Sequence, residues 1–217
     1  MSIQDKLSPV NPEDLKQLKE RMNLIANADP NQYHNDFSLK RYLRAFTSVD
    51  NSFQVNDHNI FPWEWIILIA FFFINNQAIL KTNKWREEYG VKTLSELPAI
   101  DKHANKARVL RHRDCTGRPV IYIPAKNHNA ADRDINELTQ FIVYCLEQAC
   151  TKCFEEVTDN LCIVFDLAEF STSSMDYQLI KNLIWLLSKH YPERMGACVI
   201  MNSPTIFSTI FPVIKGW

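Results

Sequence analysis

Glycine is scarce in this chain. Only Gly90, Gly117, Gly196 and Gly216 occur in 217 residues. P-loops and dinucleotide-binding turns both cluster glycines so that backbone amides can approach a phosphate, so neither can be built here. The run Ser171 to Ser174 has no flanking glycine of a nucleophile elbow, and it reads as a turn and N-cap for the helix that follows. An excess of one charge is missing too: 24 Lys and Arg stand against 25 Asp and Glu, a formal net charge of −1. With no overall basic field to neutralise a phosphate backbone, nucleic acid is not expected as a partner. Nor is there a long hydrophobic run. The longest, Trp65 to Ile74, has ten residues, about 15 Å of helix against a hydrocarbon core of about 30 Å. The amino terminus, MSIQDKLSPV, has no apolar segment behind a basic start. A cytoplasmic protein is expected, with any membrane contact peripheral. The six cysteines fall in expected helices and strands, so buried thiols are expected rather than disulfides. Cys145, Cys150 and Cys153, at i, i+5 and i+8, spread around a helix and do not converge on an ion, so neither metal nor cofactor is expected.

What is present is an ordinary globular balance, 46% hydrophobic and 23% charged, in two zones. Residues 1–97 read as a helical lobe. Asn11 caps and Pro12 opens a helix with Leu15, Leu18, Met22 and Ile25 on one stripe. A second helix places Leu39, Tyr42, Leu43 and Phe46 inward and leaves Lys40, Arg41 and Arg44 to solvent or a partner. A third, AILKTNKWREEYGV, is closed by Gly90 as a left-handed cap. Residues 98–217 alternate strand and helix: RPVIYIPA, a helix capped by Asp134 and Glu137 and running through Glu156, LCIVFDLAEF, a helix stopped by Pro192, GACVIMN, and a last helix from Ser203-Pro204. That β-α-β-α-β-α order calls for a parallel sheet with right-handed crossovers. Both middle helices are apolar on more than one face, so each is covered twice or borders a cavity.

Chemistry-bearing residues are sparse. Asp166 and Glu169 lie near a strand's carboxyl end, where α/β enzymes place their sites, but they read better as caps of the following loop. His112 and His128 read as solvated loop imidazoles. No base accompanies a nucleophile at a recognisable spacing, and no catalytic residue is expected.

The segments SLKRYLRAF, NKWREEYGV, DCTGRPVIYI, CIVFDLAEFS and YPERMGACVIMNSPTIFSTIFPVIK, in this order and spacing, resemble the CRAL-TRIO lipid-binding family, its phosphatidylinositol-transfer members in particular. The resemblance implies an α/β fold. A helical amino-terminal lobe precedes a mainly parallel sheet with flanking helices, and the sheet floor and a movable helical gate enclose one lipid. It implies binding or exchange of a phospholipid such as phosphatidylinositol, without bond chemistry. It places Asp114, Pro119 and Glu193 at the headgroup, with Arg194 their neighbour, and makes Phe141, Tyr144, Trp185 and Phe207 pocket walls; the residue pattern alone favours a dry core for those four. Two departures stand out. Phe46 occupies a position that is basic in such members, and a lysine beyond the final helix has no counterpart before Trp217. A gate continuation and a further strand are likewise expected past Trp217, so the domain reads as C-terminally incomplete.

Val55 to Gln77 has no counterpart in that pattern. Deleting it joins SVDNSFQ to AILKTNKWREEYGV in one helix with Phe53, Ile79 and Leu80 at i, i+3 and i+4. The expectation is an intrusion of spliced origin, an in-frame retained intron, ahead of an interfacial hairpin and, last, a membrane span, and a chain that holds lipid less well than one lacking Val55 to Gln77 and continuing past Trp217. A rival function rests on the basic run Lys102, Lys106, Arg108, Arg111 and Arg113, continued by Arg118 and Lys126. It suits docking to acidic proteins or to anionic membrane, as in a signalling module.

Overall fold

The computed structural model describes residues 9–28, 30, 34–50, 78–154 and 157–204. The stretch from Val55 to Gln77, Phe207 and the apolar stripe of the last expected helix lie outside them. The chain divides into two compact units between Tyr89 and Gly90.

The first unit is helical: α1 (Pro12–Ala28), α2 (Asp36–Asp50) and α3 (78–88). Asn11 Oδ1 accepts the Glu13 N–H at 3.0 Å, giving α1 the cap its sequence calls for. Leu18 and Met22 of α1, Leu39, Tyr42 and Leu43 of α2, and Ile79 of α3 form one buried cluster, with Leu15 and Ile25 half-buried against it. Helical spacing in the sequence had assigned these positions inward. It had left Arg41 to solvent or a partner, and the structure corrects this: Arg41 is buried.

The second unit opens at Gly90, whose φ of +68° is the left-handed turn expected of it. A 3-10 helix, Val91–Glu96, and a short α4, Pro98–Lys102, precede the sheet. The strands are β1 (Arg108–Arg113), β2 (Pro119–Pro124), β3 (Leu161–Asp166) and β4 (Met195–Met201), hydrogen-bonded in that order. Strands β2, β3 and β4 are parallel, joined through α5 (Ile135–Cys150) and α6 (Tyr177–Lys189). The register aligns Val120 with Cys162 and Ala197, and Tyr122 with Val164 and Val199, so each row shares a face.

The observed α/β architecture is the expected one with one strand added. β1 runs antiparallel to β2 and lies inside the basic run, where arginines at 108, 111 and 113 hide any apolar alternation; it is an edge strand, mostly exposed. Helix α5 ends at Cys150, with Thr151 as C-cap, and does not continue through Glu156. The cap of α6 is Asp176, not the serine run, of which residues 172–174 form a 3-10 turn. Two of the six free cysteines, Cys115 and Cys198, are exposed, against the expectation of uniformly buried thiols.

The two middle helices differ. α5 buries Leu138, Phe141 and Cys145 together with Val143, Leu146 and Ala149, two stripes of one helix. α6 buries only Leu186. Its Ile180, Leu183, Ile184 and Leu187 are half-buried, and Trp185 is 48% exposed. Strand β4 likewise exposes Met195, Val199 and Met201. Apolar surface therefore remains open on α6 and β4 among the described residues.

Candidate functional site

Because β2, β3 and β4 are parallel, the segments leading into them meet at one end of the sheet. Three turns converge there. The first, Asp114 to Arg118, joins β1 to β2. Asp114 Oδ1 accepts from Thr116 N (2.9 Å), Thr116 Oγ1 (2.7 Å) and Arg118 N (2.8 Å), and its Oδ2 lies 3.6 Å from the Arg118 guanidinium. Partial burial works against its charge, yet these donors hold the carboxyl below its ordinary value. Gly117 turns the chain with φ +87°. Pro119 follows, buried, as the first residue of β2, where its missing N–H costs no ladder bond.

The second turn, Tyr191 to Arg194, joins α6 to β4. The Tyr191 hydroxyl donates to Glu147 Oε1 of α5 at 2.6 Å, and the Arg194 N–H donates to the Tyr191 carbonyl at 3.1 Å. Glu193 is exposed, with φ +57° in the left-handed region that non-glycine residues seldom occupy. Arg194 is half-buried, and its Nη1 donates to the Asp159 carbonyl at 2.6 Å. The third turn, Val157 to Asn160, lies between them and is buried from Thr158 onward. Asp114, Pro119, Glu193 and Arg194, far apart in sequence, thus stand at the same sheet end.

The opposite end, where α/β sheets more often carry ligands, holds a polar cluster. Asp166 accepts from the Tyr122 hydroxyl, from Asn202 Nδ2 (2.8 Å) and from Ala168 N (3.0 Å), which together bring its carboxyl down to about 2. Glu169, also left-handed at φ +59°, pairs with Lys126 at 2.7 Å. Both acids therefore organise the loop after β3, as the sequence suggested. His128 is not a solvated imidazole: its Nε2 faces Asp176 Oδ2 at 3.1 Å, and Arg133 clasps the same carboxylate through Nε and Nη2. The composition of that loop hides a pairing made across 48 residues.

The residues assigned to the pocket wall are partly brought together. Phe141 is buried with Ile100, Leu138 and Cys145; Tyr144 is half-buried beside it, ring centroids 6.5 Å apart. Trp185 stands apart on α6, edge-on to His190 at 4.7 Å. The basic run is dispersed. Lys102 is bound to Glu137 at 2.5 Å, Lys106 donates to the Asn127 carbonyl at 3.1 Å, and Arg108 lies 5.0 Å over the Tyr122 ring. Arg113 stacks on Phe154 at 4.0 Å and donates to the Lys152 carbonyl at 2.6 Å. Arg111 and His112 remain exposed on β1. Sequence reasoning missed the buried polar run Thr158-Asp159-Asn160, since such a triplet before an apolar segment reads as an ordinary loop.

Residues 103–217 match the CRAL/TRIO domain family. The chain belongs to that family. Among its CRAL/TRIO relatives, the phosphatidylinositol transfer protein CSR1 of Eremothecium gossypii is 37% identical over 108 residues, covering 50% of this chain and 24% of that one. The CRAL-TRIO domain-containing protein C3H8.02 of Schizosaccharomyces pombe is 30% identical over 150 residues, 65% of this chain and 34% of that one. The chain thus spans a quarter to a third of the length of these two curated relatives. Among solved structures, Sfh5 superposes with a TM-score of 0.57 at 17% identity over 64% of this chain and 54% of that one, a likeness of fold. No helix among the described residues is long and apolar enough to cross a membrane.

Proposed function

We propose that this chain binds and exchanges a phospholipid carrying an inositol phosphate headgroup, and makes or breaks no bond in it. The observation that carries this reading is the convergence of the Asp114–Arg118 and Tyr191–Arg194 turns at one end of the sheet of a CRAL/TRIO chain. In this reading Asp114, Pro119, Glu193 and Arg194 frame the headgroup. The carboxylates accept inositol hydroxyls, and Arg194 offers a charge-assisted bond to phosphate. Tyr144, backed by Phe141, and Trp185 line the acyl chains, joined by Phe207. The half-buried stripe of α6 supports an apolar wall there, since such surface gains by being covered. The name of the Eremothecium gossypii relative, a phosphatidylinositol transfer protein, supports the same ligand class. The domain division proposed is a helical lobe to residue 97 and a lipid-binding domain from 98, working in the cytoplasm with peripheral membrane contact. Of the basic run, exposed Arg111 on β1 favours a secondary role in docking to an anionic membrane. The test is transfer of fluorescent phosphatidylinositol from donor to acceptor vesicles. Transfer dependent on the chain is the expected result, and none above the spontaneous rate would contradict the reading.

A further inference from the structure

All four headgroup positions hang on backbone turns, and the structure shows what fixes those turns. Thr158, Asp159 and Asn160 are each at most 5% exposed, an unusual burial for three consecutive polar residues. They bond one another and the neighbouring Tyr191–Arg194 turn. The Thr158 hydroxyl donates to Asn160 Oδ1 at 2.7 Å. That bond sets the amide's orientation, leaving Nδ2 to donate to the Glu193 carbonyl at 3.4 Å. The Asp159 carbonyl accepts Arg194 Nη1, and the following Leu161 N–H donates to the Arg194 carbonyl at 2.7 Å. On the other side, a Cβ at Gly117 would lie 3.4 Å from Val157 Cγ1 and 3.9 Å from Thr158 Cγ2, so the same loop backs the Asp114 turn. Room for Asn160 depends on Gly196, where a Cβ would come within 2.8 Å of three Asn160 atoms.

We infer that the buried run Thr158–Asn160 is the positioning element of the headgroup site. It sets the spacing between the Asp114 and Glu193 turns and holds Glu193 in its left-handed conformation. Resting on the function proposed above, it names a source of headgroup selectivity that touches no lipid. A left-handed glutamate relaxes to ordinary φ unless its surroundings over-determine it, and the Asn160 amide is a donor aimed at its carbonyl. Relaxation would redirect the Glu193 side chain while leaving the acyl-chain wall intact. Headgroup discrimination then falls without loss of lipid capacity.

The experiment uses the full chain with Asn160→Asp, which keeps the acceptor for Thr158 and the side-chain volume but presents no donor to Glu193. Thr158→Val is the second variant, removing the hydroxyl that orients the amide. Transfer of phosphatidylinositol and of phosphatidylcholine is measured in parallel, with backbone chemical shifts of Glu193 and Arg194 as a lipid-free readout. The expected result is a fall of about tenfold in phosphatidylinositol transfer, unchanged phosphatidylcholine transfer, and Glu193 shifts leaving the left-handed range. Equal loss of both lipids, or unchanged Glu193 shifts in both variants, overturns the inference. If the parent chain transfers neither lipid, the functional proposal fails and the Glu193 shifts alone decide the positioning role.

Discussion

Replacing Asp176 puts the cohesion of the second unit to a quantitative test. This carboxylate is only 4% exposed and does two jobs. Its Oδ1 caps α6 by accepting the Leu179 N–H at 3.0 Å, and the whole group binds Arg133, with His128 at 3.1 Å. Loss of an N-cap costs about 1 kcal/mol, and removal of one partner from a buried ion pair about 3–5 kcal/mol. The two overlap because they use the same oxygens. Asp176→Ala should therefore lose about 4 kcal/mol, and Asp176→Asn, which keeps an oxygen for Leu179, about 2–3 kcal/mol. In a chain of this size that is a drop of several degrees for each, at about 2–4 °C per kcal/mol. The dependence on pH has a definite sign. Burial opposes ionisation, but Arg133, the Leu179 N–H and His128 bring the carboxyl down from 3.8 to about 2. The stabilisation is thus complete above about pH 4 and is lost as pH falls through about 2. Urea titrations of parent and Asp176→Asn at pH 7, and in steps below pH 4, should show a gap that closes on acidification. A gap below about 1 kcal/mol at neutral pH, or one that persists unchanged to about pH 2, would refute the reasoning.

Other perturbations give contrasting outcomes. Glu193→Gly removes the acid proposed for the headgroup while relieving a backbone conformation that costs a non-glycine residue about 1–2 kcal/mol; transfer should fall while the melting temperature holds or rises, and a parallel fall in both would contradict the assignment. Gly196→Ala drives a methyl into Asn160 and should destabilise by about 1–3 kcal/mol; an unchanged calorimetric midpoint would show that the loop yields freely. His103 is buried beside Phe141, 6.2 Å between centroids, and burial, then the Lys106 charge, pushes its pKa below 6.5 despite Glu137. Its neutral form is favoured on folding, a contribution complete above pH 6.5 and lost as pH falls below it, so His103→Leu should lose less stability than the parent between pH 7 and 5; identical slopes in urea titrations would exclude this.

How far the sequence could be read followed from the period of each pattern. The stripe Leu15, Leu18, Met22 and Ile25 announced α1, and Leu39, Tyr42 and Leu43 announced α2, because burial on one helical face leaves a 3.6-residue signature. The three parallel strands were legible as apolar runs bounded by turns. β1 was not, because an edge strand facing solvent has no need of alternating apolar residues, and its arginines read as a charged face. Arg41 was misplaced because periodicity reports apolar faces and says nothing of which cationic side chains the fold buries. The four positions proposed for the headgroup came from resemblance alone. Nothing in the spacing from Asp114 to Glu193 announces that they share one end of the sheet, since that depends on strand order. Thr158 to Asn160 left no signal, as burial of polar residues is decided by which turns happen to flank them.

If the proposed function holds, this chain carries a phosphatidylinositol whose headgroup is read by the Glu193 turn. Native mass spectrometry decides the point. The full chain is equilibrated with phosphatidylcholine vesicles containing a minor fraction of phosphatidylinositol, separated from them, and weighed beside the Glu193→Gln variant. The expected result is one phosphatidylinositol per parent chain, enriched over its share of the vesicles, and a variant that carries lipid without that enrichment. A parent recovered without lipid, or a variant that enriches phosphatidylinositol equally, would contradict it.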